Sequence, residues 1–431
     1  MHVSGGNLRR EGNIQMKSKL TAFFSCVTLI LCSAAIAVGQ DQAETQGRHI
    51  PKMKAYSWMK PGPDRSQVEA TKNLAATNSG KTLPLWTFST RSSRDDNDYS
   101  GVMVGRDPFN GGGSVSIPTY IVPVIIKTHT IGTGVNSKRI ISTKPGVTTF
   151  DPTLADKACL GTSNNVPVTL FEESPLLQSA LFDFGGSVMG TTQYIDAFQR
   201  ANFWRVDDHD RYHVLLGPVK TLKPIVINVP ANDGTTLPAS LTGLCATEGI
   251  VDINWFDAYL DSTVIPALVS EGVNPSNFPI FLVHDVVWAS PVTNLNDCCY
   301  IGYHGYTGSN PIQTYSPMDF DNNQGFFFNP EIRDSYVPAH EIGEWMNDPF
   351  VTNPTPLWGH VGQQPGCQGN LEVGDPLTGT ESLRVVMSNG FTYHLQELTF
   401  FSWFFGAPSI GIHGWFSDNA TFLTDAGPPC H

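Results

Sequence analysis

The chain has 431 residues, of which 40% are hydrophobic and only 15% charged. That balance excludes a long disordered polymer, because disorder goes with low hydrophobicity and dense charge. The formal net charge of −13 argues against a nucleic-acid binder, which works by neutralising phosphates with Lys and Arg. The 40 glycines and 31 prolines predict many turns and short elements rather than a helical bundle.

In chain order, the first feature is an export signal. Met16–Lys17–Ser18–Lys19 gives a short basic start, Leu20 to Val38 is apolar or small throughout, and Ala35, Ala37 and Gly39 supply small residues at the exit. This is the pattern of a secretory signal peptide preceded by an extended start, so residues 1–39 are predicted to be removed and the protein to be secreted or periplasmic. Their removal takes away Arg9, Arg10, Lys17 and Lys19 against a single acid, Glu11, and leaves the remainder more acidic still. Cys26 and Cys32 go with the leader. Cys159, Cys245, Cys298, Cys299, Cys367 and Cys430 remain, an even number that predicts disulfides in an exported chain with fifteen pairings open. With no later apolar stretch long enough to span a bilayer, no membrane association is expected once the signal is gone.

Residues 40–115 carry Pro, Gly, Ser and Asp clusters and read as a linker or pro-segment with wrapping loops. Residues 116–431 read as a single large domain. Thr119 to Ile126 (TYIVPVII) is the first firm strand, with Pro123 pointing to an edge or a bulge. The stretch QYIDAFQRANFW predicts a helix, Val214 to Val229 two short strands, and Ile253 to Val269 a helix stopped by Gly272. Phe278 to Trp288 predicts one buried strand. Two further helices are expected, over about Pro338 to Asn347 and about Tyr393 to Phe405. Strands dominate the first half and helices gather later, which points to an α+β fold with a mixed sheet rather than regular βαβ alternation.

The chemistry concentrates in SYVPAHEIGEWMNDPF. His340 and Glu344 are four apart, so they share one helix face a turn apart, and Glu341 sits about 100° round from them. This is the geometry of H-E-x-x-H with Glu in place of the second His; there the two ligands hold zinc and the intervening Glu serves as general base. A carboxylate binds zinc as well as an imidazole does, so the replacement leaves a metal site intact. A third ligand is needed. Asp348 is two turns from His340, about 12 Å along a continuous helix, too far to share an ion. Glu372, in the turn-like GCQGNLEVGDPLTG, comes from a separate segment and is the preferred third ligand.

HEIGEWMNDP followed by LEVGDP resembles the H-E-x-x-E…D-P…E-x-x-D pattern of zincin-like secreted proteins, also seen in phosphate-induced, EXORDIUM-type proteins. The likeness covers roughly residues 335–380. It implies a zincin-like fold with an active-site helix, with His340, Glu344 and Glu372 as metal ligands, Glu341 as the base, and Asp348 and Asp375 as acids behind the ligands. It departs from the well-characterised metallopeptidases in its second ligand, Glu rather than His, and in placing Glu372 in a Gly/Pro turn rather than on a helix.

Other candidates carry less. His394 and Glu397 read as a core pair, His284 as a structural strand residue, and His360 as a residue between the two acidic segments. Ser187 in GGSVMG misses the nucleophile-elbow spacing by one position. The expectation is therefore an exported zinc-dependent hydrolase, a metallopeptidase acting on a peptide or protein substrate through a metal-activated water and Glu341. The alternative is a non-catalytic exported binding or structural protein of zincin-like shape holding zinc or calcium, the latter on the acidic set Glu344, Asp348, Glu372 and Asp375.

Overall fold

A 16-residue strand, Ser114–His129, organises the protein. The computed structural model describes residues 53–430 apart from 56–57, 78–79, 130, 133–139, 142–146, 161–164, 207–210, 240–243, 293–297, 324–325, 328, 362–365 and 429. The expected signal peptide and the start of the expected linker lie outside the described residues.

The long strand pairs in parallel with His213–Thr221 along its first half and with Ile225–Asn228 further on. It also pairs in parallel with Phe278–Val283, which in turn pairs in parallel with Gln313–Asp319. Val147–Phe150 and Gly305–Thr307 join antiparallel, completing a seven-stranded mixed sheet. Strands outnumber helices along the described chain.

Pro123 lies inside this central strand, not at an edge. The last residue paired with the His213–Thr221 strand is Ile121, and the first paired with Ile225–Asn228 is Val124. The residue with no N–H to give thus falls where one neighbour ends and the next begins, so its missing ladder bond is not called for there. The two short strands expected between Val214 and Val229 are these two neighbours.

The run Phe278 to Trp288 is two strands rather than one. Phe278–Val283 belongs to the large sheet, and Val286–Ala289 pairs with Glu248–Asp252 in a three-stranded sheet. His284 and Asp285 form the corner, Asp285 at φ 51°, a left-handed conformation that Asp tolerates better than most residues. The last expected helix is also different: Thr392–Leu395 is a strand, and only Phe401–Phe404 is helical. Its apolar residues are buried all round, so burial does not distinguish the two periods. Residues 65–104, expected to lack regular pattern, contain the helix Arg65–Ala76 and the antiparallel hairpin Leu85–Arg91 with Asp98–Val104. The Asn353 side chain bonds both backbone groups of Val102, tying this hairpin to the loop after the site helix.

That helix, Tyr336–Asn347, is buried on all sides. Pro338 sits in its first turn, where a missing N–H costs nothing. Trp345 stacks on Phe278 of the large sheet with ring centroids 3.7 Å apart and donates its indole N–H to Thr314 Oγ1 at 2.9 Å. Gly343 is where Leu398 packs: a Cβ there would meet Leu398 Cδ1 at 2.6 Å.

Cys159 and Cys245 form a disulfide across 86 residues, and Cys298 and Cys299 form a vicinal pair. The Cys430 thiol lies against Cys367. Opening the long loop by Cys159→Ser should cost about 2–5 kcal/mol through the freed unfolded chain. A lowered thermal midpoint in the variant relative to the oxidised parent, a difference that disappears when both are fully reduced, is the expected result of melting curves.

Candidate metal centre

His340, Glu341 and Glu344 project from the site helix into one cleft, which Glu372, Asp375 and His304 also line. All six are nearly or fully buried. Glu372 follows the strand Gln368–Asn370, Asp375 opens a short 3-10 turn, and His304 immediately precedes the strand Gly305–Thr307.

The two histidines are held in defined tautomers. Gln396 donates through Nε2 to the Gly374 carbonyl at 2.5 Å, which turns its oxygen toward His340 Nδ1 at 3.0 Å. An amide oxygen only accepts, so Nδ1 carries the proton and Nε2 faces Glu344 Oε1 at 3.0 Å and Asp375 Oδ1 at 3.5 Å. His304 Nε2 lies 2.9 Å from the Asp348 carbonyl, which again only accepts. His304 Nδ1 therefore points at Glu341 Oε2, 3.6 Å away, and Glu344 Oε2, 3.8 Å away. Fixing one ring nitrogen on a carbonyl or amide oxygen while the other faces inward is how proteins orient metal-binding imidazoles.

The carboxylates follow the same rule. Glu344 Oε1 accepts from the Gly374 and Asp375 N–H groups, both at 3.2 Å. Glu372 Oε1 accepts from Asn370 at 2.5 Å and Asp375 Oδ2 from Gln368 at 2.7 Å. Their second oxygens turn to the cleft, and Glu341 Oε2 and Glu372 Oε2 are buried without a hydrogen-bond partner. Bare imidazole nitrogens facing carboxylate oxygens, acceptor against acceptor, are relieved by a shared proton or by a metal ion between them. A tetrahedral zinc with ligands near 2.0–2.2 Å sets its donors roughly 3.4 Å apart, and the distances above bracket that value.

Two overlapping donor sets result: His340, Glu341 and Glu344, and His304, Glu344 and Glu372. The structure thus brings His340 and Glu344 together directly and joins Glu372 to them through Glu344 and His304. Glu341, expected as a base only, also offers an oxygen within the donor set. Asp348 plays a different part from the acid expected behind the ligands. Its carboxylate accepts from the Thr352 and Asn353 N–H groups, closing the turn after the helix, while its carbonyl positions His304. His304 is the member of these donor sets that sequence reasoning missed. It stands alone in YIGYHGYTG with no metal-binding spacing to any neighbour. His394 and Glu397 do not reach the site: His394 pairs with Asp334, and Glu397 accepts from the loop at Asn419 and Thr421. His360 rests on the Asp375 carbonyl.

Without a cation the cleft holds its charge poorly. Burial pushes the Glu341 carboxyl up to about 8 and the Glu344 carboxyl up to about 7. For His340, burial opposes the charged form, but Glu344, Glu341 and Asp375 outweigh it and raise the imidazole to about 10. Burial and the neighbouring acids also hold Glu372 well above the ordinary carboxylate range. Buried groups of one histidine and several acids could hold a metal ion here.

No family model, curated protein or solved structure matches this chain.

Two outcomes are expected from this geometry. Gly374 packs on the His340 ring, where a Cβ would come within 2.5 Å of Nδ1. Gly374→Ala should therefore displace the imidazole and weaken metal affinity about 10- to 100-fold, measured by competition with a chromophoric chelator. The second concerns pH. Each raised group binds its proton more tightly folded than unfolded, so its stabilisation is complete below the unfolded pKa and is lost as pH rises through the folded one. Chelator-treated protein should melt at progressively lower temperature from about pH 5 to about pH 9, and saturating metal, replacing those protons, should flatten the profile.

Proposed function

We propose that the protein is an exported, zinc-dependent hydrolase that cleaves peptide or protein substrates. The observation that carries this reading is the convergence of two inward-facing imidazole nitrogens and three buried glutamates on one cleft. The donor mixture of nitrogen and carboxylate oxygen suits zinc. When bound, zinc would supply Lewis acidity that polarises a carbonyl and acidifies water.

His340, Glu344 and Glu372 would hold the ion, with His304 as a fourth donor. Glu341 is the group left to move protons. Its Oε2 lies beside His304 Nδ1 and lacks a hydrogen-bond partner, which supports a role for it in taking a proton from an attacking water and returning it to a leaving amine. Gly302 leaves room for it: a Cβ there would come within 2.7 Å of Glu341 Cγ. Trp58, Met59 and Val351 give the cleft an apolar rim suited to a peptide side chain.

The second reading is an exported binding or structural protein that keeps the ion without turnover. It is favoured by the burial of every donor and by their number, since structural zinc sites are closed whereas catalytic ones keep an open position.

Glu341→Gln separates the two. On the hydrolase reading the variant keeps the zinc content of the parent and loses casein hydrolysis by at least about 10²-fold. Parent protein that carries zinc but turns over no member of a peptide library supports the structural reading.

A further inference from the structure

A second group of buried donors gathers where the Phe278–Val283 strand ends. His284 Nδ1 lies 2.8 Å from the Phe320 carbonyl, so it carries the proton. His284 Nε2 then faces Asp285 Oδ2 at 3.5 Å and Asp156 Oδ2 at 3.7 Å. Asp156, His284 and Asp285 place one donor atom each within 4.8 Å of the others. The Asp321 carboxyl lies within hydrogen-bonding reach of Asp285.

Each of these carboxylates is anchored through one oxygen and presents the other. Asp156 Oδ1 accepts from the Ala158 and Cys159 N–H groups at 3.1 and 3.0 Å. Asp285 Oδ1 accepts from Asn322 at 3.3 Å, and Asp321 Oδ1 from Asn323 at 2.6 Å. Asp156 Oδ2 and Asp321 Oδ2 are left buried with no hydrogen-bond partner, in side chains only 7% and 1% exposed. Glu248 and Asp319, both fully buried, stand close behind, and burial together with the neighbouring acids raises both carboxyls well above the ordinary carboxylate range. An anchored oxygen paired with an orphaned one, repeated around a bare imidazole nitrogen, is costly unless a cation fills the centre.

We propose that Asp156, His284 and Asp285, with Asp321 as a further carboxylate, form a second divalent-cation site separate from the His340–Glu344 cleft. None of these residues lines that cleft. The imidazole selects a first-row divalent metal such as zinc over calcium, which takes oxygen donors. The site is structural in kind. It joins the corner at Asp285, the end of the Gln313–Asp319 strand and the loop that the Cys159–Cys245 disulfide holds in place.

Crystals of the full chain soaked in zinc and measured at the zinc edge test the proposal. An anomalous peak within bonding distance of Asp156 Oδ2, His284 Nε2 and Asp285 Oδ2 is expected, whatever occupies the His340 centre. No peak there overturns the proposal, and strong density with calcium but not zinc overturns His284 as a donor. In solution, His284→Gln and Asp156→Asn should each lower bound zinc by one equivalent per chain while leaving casein hydrolysis at the parent's level. Unchanged stoichiometry in both overturns it; should a variant fail to fold, the map of the parent protein still decides.

Discussion

The cost of burying carboxylates governs this protein. Glu341, Glu344, Glu372 and Asp375 leave water within one cleft, and among the described residues no lysine or arginine lines that cleft. Their mutual repulsion is relieved only by protons or by a cation. The surrounding polar groups look arranged for the second solution. Backbone N–H groups and the Asn370 and Gln368 amides each take one oxygen of a carboxylate, and two acceptors fix the imidazoles so that their other nitrogens face the acids.

The scaffold explains how distant segments meet there. The central sheet carries Phe278 and Thr314 on neighbouring strands, and Trp345 reaches both, one by stacking and one by hydrogen bond. This fixes the rotation of the site helix about its axis and hence which face His340 and Glu344 present. The chain after the helix turns back through Asn353, and the Gln368–Asn370 strand delivers Glu372 and Asp375 opposite that face.

Local pattern made the helix, the central strand and the i, i+4 pair visible in the sequence, because each is written in neighbouring residues. What was not visible depends on partners far along the chain. Pro123 argued for an edge or a bulge, yet the strand is central because two successive neighbours leave a gap at that residue. Phe278 to Trp288 read as one strand because nothing in its composition announces that Asp285 turns a corner. His304 carried no signal, since its role comes from a helix end 44 residues later. Asp348 was weighed as a metal-side acid, whereas its carboxylate closes the turn after the helix and its carbonyl holds His304.

The bond from His304 to the Asp348 carbonyl has a consequence beyond orientation. That carbonyl belongs to the residue capping the site helix, and the Asp348 N–H returns to Glu344 O at 2.6 Å. One imidazole is thus hung on the same final turn whose winding supports Glu344. Fraying of that single turn would loosen donors from two segments at once, so the centre assembles or dismantles as a unit and has little room for partly competent forms.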